Sequence, residues 1–379
     1  MTYLPFFLVI LATVIFSSVF SRFHLPWVPA LIVGGMVFGP FGFDIVETNQ
    51  TLDFIANIGL VFLMFLAGLQ TKLSTFQKFD RDIGLVTLLN GLIPFVVGFL
   101  IGWLFGFTLM ASLLLGIIFM SSSIAVVIPA LEYKGVMQRK VGSTIISATM
   151  INDIASLVLL SMLLQALDPI TDLPVWSFYI LLITMLVGMR YALPKIRSHF
   201  PKFRDEKDLF ESEVRLILAM LLGTVILFEA LGLHPIIAGF FSGLVLSDSI
   251  NSDLLMQKIH TIGYSIFIPV FFIVVGLQTD LSMLGVGVEA YFLIFVIVVG
   301  SMLSKFGSGY LAGSLAGFGK ADSLFIGAAT VPQLSTTLAV VATAAALDLV
   351  PPILLTAMVV LSMISTVIAP AAMQFIKLR

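Results

Sequence analysis

The 379-residue sequence contains no cysteine and few charged residues. Without cysteine the chain can form neither disulfides nor thiolate metal sites, and thiol catalysis is excluded. Asp, Glu, Lys and Arg make up 11% of the residues, whereas soluble domains contain about 25%. Hydrophobic residues reach 59%, and the mean hydropathy is +1.14. The composition therefore excludes a soluble domain and indicates a protein that crosses the membrane several times.

The sequence also lacks the motifs of the common enzymes and nucleic-acid-binding proteins. Its four histidines do not have the spacing of metal ligands, and no nucleophile elbow or metalloprotease motif is present. The formal net charge is −2, and no basic patch stands out. We therefore expect neither an enzyme nor a nucleic-acid-binding protein, and no cofactor.

Charged residues, prolines and glycines divide the apolar sequence into thirteen candidate membrane spans. A helix needs about 20 apolar residues to cross the hydrocarbon core of a bilayer. Several spans are short or contain proline, which indicates broken or tilted helices. The approximate ranges are 3–21, 27–40, 52–70, 83–105, 108–131, 140–166, 175–193, 212–231, 234–247, 260–277, 290–315, 322–346 and 351–376.

Lys and Arg are missing from every second loop between these spans. Eighteen of the 19 basic residues fall on one side. The loops of the other side contain no Lys or Arg, and their charged residues are acidic, such as Asp44, Glu47 and Asp348. Lys and Arg collect in cytoplasmic loops. Because the number of spans is odd, we predict an external N-terminus and a cytoplasmic C-terminus.

Two short sequences recur in the second half of the chain. Residues 68–74 (GLQTKLS) reappear as residues 276–282 (GLQTDLS), with six of seven positions identical. Residues 121–127 (SSSIAVV) reappear as residues 335–341 (STTLAVV). Each match is seven spans apart, and because seven is odd the paired spans cross the membrane in opposite directions.

The matches predict two inverted repeats of six helices. The first repeat covers residues 1–166 and the second covers residues 212–376, with a linker helix over 175–193 between them. Inverted repeats are typical of secondary transporters, whose binding sites lie near the middle of the membrane between discontinuous helices.

The fifth and twelfth spans are expected to be the discontinuous helices. Each contains consecutive hydroxyl residues at mid-depth and a proline nearby, Pro129 or Pro332, which removes a helical hydrogen bond. Alternatively, the hydroxyls only bond back within their own helix or allow close packing. The hydroxyl residues that we predict to surround an ion are Ser122, Ser123, Thr336 and Thr337.

One carboxylate, Asp153, lies in the middle of the sixth span. The nearest charges, Lys140 and Asp168, are 28 positions apart, or roughly 42 Å of helix. A carboxylate at this depth costs several kcal/mol unless it is protonated, paired or bound to a cation, so it indicates an ion or proton pathway. Thr149 and Asn152 add oxygen atoms beside it. The alternative is a buried aspartate that caps or braces a neighbouring helix.

Lys305 is the second charge at mid-depth. It lies 16 positions after Glu289 and 15 before Lys320, beyond the distance over which a lysine side chain reaches the membrane surface. Its ammonium therefore needs a partner inside the protein. Three roles are open: neutralising the carbonyl ends of the discontinuous helices, pairing with Asp153, or taking up and releasing protons.

These features together resemble the monovalent cation:proton antiporter superfamily, in particular its bacterial branch of Na+/H+ and K+/H+ antiporters. The resemblance rests on the thirteen spans with an inverted repeat, residues 60–69 (LVFLMFLAGL), the Asn152-Asp153 pair and Lys305. It implies a homodimer in the lipid bilayer of a bacterial or archaeal cytoplasmic membrane. It also implies a scaffold of spans 1–3 and 8–10, and a core of spans 4–6 and 11–13 that moves like an elevator.

The resemblance further implies that Asp153 binds a monovalent cation and a proton alternately. Asn152 stands where electrogenic members have the first of two adjacent aspartates. Asp153 is the one carboxylate at mid-depth, and a single carboxylate that carries either one proton or one cation predicts an electroneutral 1:1 exchange. The alternative is that Lys305 also releases a proton, which would make the exchange electrogenic. Residues 331–337 (VPQLSTT) lack the Gly-Glu element found in many relatives, and the choice between Na+, K+ and Li+ therefore stays open.

Two other transport classes are alternatives. A sodium-coupled solute symporter on a similar inverted-repeat fold needs a polar substrate cavity, and few polar residues are available for one. A channel needs a continuous polar lining. Only an antiporter couples a cation gradient to a pH gradient in the absence of another solute.

Overall fold

The computed structural model describes residues 3–22, 27–71, 80–167, 175–199, 212–230, 234–248, 250, 252–280 and 287–378. All regular secondary structure within these ranges is helical. A π-helical turn, Gly263–Phe267, joins two of the α-helices. The α-helices are α1 (Leu4–Arg22), α2 (Trp27–Phe38), α3 (Gln50–Gln70), α4 (Arg81–Leu104), α5 (Leu109–Met120), α6 (Ile124–Tyr133), α7 (Lys140–Leu167), α8 (Val175–His199), α9 (Ser212–Ala230), α10 (Pro235–Leu246), α11 (Asp253–Ile262), α12 (Ile268–Leu277), α13 (Val288–Leu315), α14 (Lys320–Thr330), α15 (Ser335–Ala346) and α16 (Pro352–Phe375).

The helices coincide with the thirteen spans predicted from the sequence. The fifth span is the pair α5 and α6, and the twelfth is the pair α14 and α15, so both predicted discontinuities are present. The tenth span begins at Asp253 rather than at residue 260. Its first turns mix polar and apolar residues, so hydropathy alone does not predict them. The Ser252 hydroxyl caps the helix by accepting from the Leu255 N–H at 3.3 Å.

Length and hydropathy agree with a multi-pass membrane protein. Within the described ranges, nine continuous or broken helices are long and apolar enough to cross a membrane. The apolar segments of α2, α8 and α10 are shorter. The remaining helix, α9, contains three charged residues, Glu213, Arg215 and Glu229.

The described residues form two compact units. The first comprises those within Met1–Asp53, Phe79–Leu160 and Phe272–Arg379, and the second those within Phe54–Lys78 and Ser161–Phe271. Each unit contains helices from both halves of the chain. The repeat boundaries at 1–166 and 212–376 therefore stay a prediction. The site described below lies entirely in the first unit, where α4 packs against α5 and α13, and α13 packs against α14.

One close crossing of two helices at glycine in the first unit has a counterpart in the second unit. In the first unit, a Cβ atom on Gly35 of α2 would lie 2.8 Å from the Cα atom of Gly276 in α12. In the second unit, a Cβ atom on Gly243 of α10 would lie 3.0 Å from the Cα atom of Gly68 in α3. Gly243 follows Gly35 by 208 positions, and Gly276 follows Gly68 by the same 208 positions.

The recurring sequence GLQT also forms the same local structure twice. The Thr71 N–H donates to the Gly68 carbonyl at 3.0 Å, and its hydroxyl donates to the Ala67 carbonyl at 3.0 Å. The Thr279 N–H and hydroxyl make the corresponding bonds at 3.1 and 2.7 Å. These bonds satisfy carbonyls at the ends of α3 and α12. Residues 72–74 and 281–282 of the two heptapeptides lie outside the described ranges.

Candidate ion-binding site

The two discontinuous helices meet where each is interrupted. Residues 121–123 separate α5 from α6, and residues 331–334 separate α14 from α15. The Ser123 N–H donates to the Pro332 carbonyl at 2.7 Å, so the two interruptions are joined by a main-chain hydrogen bond. The proline in the twelfth span lies in the interruption, as expected. Pro129, in contrast, lies inside α6 and leaves that helix continuous.

The interruptions expose carbonyl groups at two helix ends, and side chains from other elements bind them. The Gln333 amide donates to the Phe119 carbonyl at 3.3 Å, and the Ser122 hydroxyl donates to the Thr330 carbonyl at 2.8 Å. The Lys305 ammonium donates to the Met120 carbonyl at 2.5 Å. A helix C-terminus carries partial negative charge, so an ammonium is the most favourable partner at this position.

Asp153 lies in the middle of α7 and is 7% exposed. Its Oδ1 accepts the Ser122 N–H at 3.2 Å, next to the N-terminal end of α6, where the helix dipole favours negative charge. This is the one hydrogen bond that the carboxylate receives from the described residues. Most of its acceptor capacity is therefore left for another partner, because an ionised carboxylate has about four lone-pair sites.

Two hydroxyls from the predicted set are buried without a hydrogen-bond partner among the described residues. They are Thr149 Oγ1, one helical turn before Asp153, and Ser123 Oγ, next to Ser122. A buried polar atom without a partner costs about 1 to 3 kcal/mol. Oxygen atoms that are buried but uncommitted are the ligands that a dehydrated alkali cation requires.

The remaining predicted residues divide between the site and the helix crossing. Asn152 is buried, and its Oδ1 would lie 2.8 Å from a Cβ atom on Gly91, so it points toward α4. Thr337 Oγ1 lies 3.1 Å from Ser121 Oγ and donates to Gln333 Oε1 at 3.2 Å, which commits it to the crossing. Thr336 is buried at the start of α15.

Lys305 is completely buried in α13. Besides the Met120 carbonyl, its ammonium donates to Asn90 Oδ1 at 3.1 Å and to the Asn90 carbonyl at 3.4 Å. Neither Lys305 nor Asp153 belongs to an ion pair within 4.0 Å between described residues, in contrast to Lys140 with Asp82 and Arg190 with Asp248, so Lys305 does not pair with Asp153. Of the roles considered from the sequence, the geometry agrees with binding of a helix C-terminal carbonyl.

Two amide side chains that were not predicted as site residues hold this arrangement together. Asn90 bridges α4, α13 and α14, and Gln333 bridges α5 and α13 through Phe119 O and Ser301 Oγ. Both are buried, with exposures of 1% and 0%. The available signal was an amide side chain in the middle of a predicted span, because such a group needs internal partners in a membrane.

Comparison with known proteins gives consistent matches over nearly the whole chain. Residues 7–377 match the family described as sodium/hydrogen exchanger, transmembrane. A probable Na+/H+ antiporter of Methanocaldococcus jannaschii is 28% identical, over 99% of this chain and 96% of its own. A Na+/H+ antiporter of Enterococcus hirae is also 28% identical, over 97% and 96%.

Two further matches add an ion and a fold. The Na+/H+-K+ antiporter GerN of Bacillus cereus is 26% identical, over 97% of this chain and 94% of its own. The solved structure of the sodium proton antiporter MjNhaP1 from M. jannaschii at pH 8 superimposes with a TM-score of 0.71. That superposition covers 96% of this chain and 94% of the other at 17% identity, and it shows the same fold.

Proposed function

Because the chain belongs to the sodium/hydrogen exchanger family, whose members are transporters rather than enzymes, we propose that it exchanges Na+ or K+ for H+ at one site centred on Asp153. The observation that carries this proposal is the state of the carboxylate. It is buried, it faces the interrupted helices, and it receives one hydrogen bond from the described residues. An aspartate that only braced a neighbouring helix would have its oxygens committed to that helix.

Coupling follows from competition for the carboxylate. A proton on Asp153 removes the negative charge that binds the cation, and a bound cation occupies the oxygens that would take the proton. A bare carboxylate is costly to move through the membrane interior, whereas either neutralised form is much less so. The loaded forms therefore cross between the two sides, by an elevator-type movement of the helices around the site, and the unloaded form stays.

The oxygen ligands that we propose for the cation are Asp153, the Thr149 and Ser123 hydroxyls, and the Asn152 amide. The first three are supported by their uncommitted oxygens. Ser122 positions the carboxylate through its N–H, and Thr336 and Thr337 line the opposite interruption. Sodium is the first candidate because it appears in the names of the relatives, and potassium is the second because it appears in that of GerN.

We propose a stoichiometry of one proton for one cation. Asp153 is the one carboxylate found in the middle of a described span, and Lys305 is satisfied as a cation by three acceptors. Because all three N–H groups of the ammonium donate hydrogen bonds, the charged form is stabilised, and we expect Lys305 to keep its proton throughout the cycle. The charge that the core carries is then equal in both directions, and exchange is electroneutral.

The proposal includes a setting for the protein in the cell. We place it as a homodimer in the lipid bilayer of the cytoplasmic membrane, with the N-terminus outside, and its exchange would contribute to pH homeostasis. The chain has no cysteine, so single cysteines give clean labelling. Arg139→Cys should react with an impermeant reagent from the cytoplasmic side and Asp348→Cys from the outside.

The deciding experiment uses purified protein in liposomes that contain a pH dye and receive Na+, K+ and Li+ in turn. Added cation should drive proton counterflow, and the apparent KM for the cation should rise as pH falls, by up to about tenfold per pH unit. Asp153→Asn should abolish the counterflow. Asp348→Asn is the matched control, because Asp348 has a positive φ of 54° that asparagine tolerates.

Coupled exchange that survives in Asp153→Asn would overturn the proposed site. Cation uptake without proton counterflow would indicate a channel instead of an antiporter. Transport that appears only when an organic solute is added would indicate a symporter.

A further inference from the structure

Asn90 contacts Lys305 at both ends of the lysine. Its Nδ2 lies 3.0 Å from the Lys305 main-chain carbonyl, and its Oδ1 accepts from the Lys305 ammonium at 3.1 Å. The amide orientation is fixed by these neighbours, since a carbonyl can only accept and an ammonium can only donate. Nδ2 also lies 2.9 Å from Ser308 Oγ and 3.1 Å from Thr330 Oγ1. One side chain in α4 therefore holds the backbone and the charge of one residue in α13.

Asn90 supplies two of the three acceptors of this ammonium. They are its Oδ1 and its main-chain carbonyl, and the third is the Met120 carbonyl. A main-chain carbonyl exists whatever residue is at position 90, but Oδ1 does not. Without Oδ1 the buried ammonium would lose one of its three hydrogen-bond acceptors. A buried charge that lacks a partner is destabilised and is attracted to the nearest opposite charge.

Resting on the proposed exchange at Asp153, we propose that Asn90 is a positioning residue that keeps the Lys305 ammonium on Met120 and away from Asp153. A lysine released from this position would act as a tethered cation that competes with the transported ion for the carboxylate. The identity of residue 90 then sets the apparent cation affinity, although Asn90 itself has no contact with Asp153 among the described hydrogen bonds.

A structural role is the competing explanation. Through Nδ2, Asn90 also ties α4 to Ser308 and Thr330, and loss of those bonds alone could disturb the site. The two explanations differ in which half of the amide matters. Positioning of the lysine needs the oxygen, whereas tying the helices needs the nitrogen.

The experiment measures the apparent KM for Na+ by proton counterflow in liposomes at one fixed alkaline pH. Asn90→Leu removes both halves of the amide and should raise the KM at least tenfold. Asn90→Asp keeps an acceptor for the ammonium and removes the donor, and its KM should stay within about threefold of the original protein. Equal increases in both variants, or no increase in Asn90→Leu, would overturn the proposal.

A double variant separates competition by the lysine from general damage. Lys305→Gln removes the charge while its amide can still donate to the Met120 carbonyl. In the Asn90→Leu background it should restore the KM to within about threefold, because the competing cation is gone. Losses that add up in the double variant would contradict the proposal. If Asn90→Leu does not fold, Asn90→Ala takes its place, because it also removes both halves of the amide and should raise the KM at least tenfold.

Failure of the underlying function would look different. If the unmodified protein shows no proton counterflow, or Asp153→Asn retains it, the exchange site is wrong whatever residue 90 does. A proposal on Asn90 fails only when the unmodified protein exchanges and the KM pattern of the residue 90 variants departs from the one expected.

Discussion

The two charged residues in the middle of α7 and α13, Asp153 and Lys305, have very different surroundings. Lys305 is fully buried, and its ammonium donates hydrogen bonds to three acceptors from two other helices. Asp153 is slightly exposed and accepts one hydrogen bond, from the Ser122 N–H. Two hydroxyls without a described partner lie close in sequence to one of these two residues: Thr149 is one turn before Asp153, and Ser123 follows Ser122. A residue whose hydrogen-bonding capacity is used by the protein is suited to a fixed structural role. A residue whose hydrogen-bonding capacity is left open is suited to bind an ion reversibly.

This difference separates structural from transport chemistry although the residues lie in one unit. The positive charge of Lys305 stabilises the carbonyl end of α5, which would otherwise present uncompensated negative charge in a membrane interior. In the proposed exchange, the negative charge of Asp153 stays available to the transported ions. Neither residue has to serve the other, which is why an ion pair between them is not needed.

The largest test of this comparison removes the fixed charge. Lys305→Met should lower the free energy of unfolding by about 3 kcal/mol, because the Met120 carbonyl and Asn90 Oδ1 are left buried without a donor. Thermal unfolding in detergent measures the loss. Lys140→Met is the matched control. Its ammonium pairs with Asp82, but its side chain is 62% exposed, and exposed ion pairs contribute little to stability. Equal losses in both variants would mean that Lys305 has no special structural role.

A smaller effect is expected from an uncommitted hydroxyl. Thr149→Val keeps the shape of the side chain and removes an oxygen that has no partner among the described residues. We expect the apparent KM for the cation to rise about threefold to tenfold, while the free energy of unfolding stays equal or increases by about 1 kcal/mol. Thr343→Val removes another unpartnered hydroxyl, in α15, and should change stability alike without changing the KM. A destabilised Thr149→Val with an unchanged KM would assign this hydroxyl to the fold.

The last test expects no effect at all. If Lys305 keeps its charge throughout, a membrane potential of 100 mV should leave the equilibrium cation gradient unmoved in liposomes. One net charge per cycle would instead contribute about 2.3 kcal/mol, or roughly a fifty-fold shift of that gradient. The potential is set with potassium and valinomycin, or with another permeant ion if potassium is transported. A shift above tenfold would show that Lys305 takes part in proton transfer, and the contrast with Asp153 would disappear.

Several features of this structure could be predicted from residue patterns because each depends on local sequence. Long apolar runs gave the spans, and consecutive hydroxyls with Pro332 gave the second interruption. The central positions of Asp153 and Lys305 follow from their distance to the nearest charges in the sequence. In a membrane, length and polarity decide these features directly.

The partners of the polar residues could not be predicted, because they depend on how the helices cross. Nothing in the sequence near Asn90 shows that it faces Lys305, which lies 215 positions away. Gln333 reaches Phe119 across 214 positions. Thr337 shares the pattern of Ser123, yet it is bonded within the crossing while Ser123 Oγ has no described partner. The roles of the predicted site residues therefore stay predictions, which the proposed experiments test.

The glycine crossings bear on how such a chain could have originated. If spans seven apart are counterparts, as the repeated sequences predict, the α2 and α12 crossing pairs a second span with a copy of the third. The α3 and α10 crossing then pairs a third span with a copy of the second. Two identical subunits related by a twofold axis make this reciprocal, isologous contact. A half-length ancestor that inserted into the membrane in both orientations and dimerised would already have used these glycines, and gene duplication with an added linker helix would have preserved the interface within a single polypeptide.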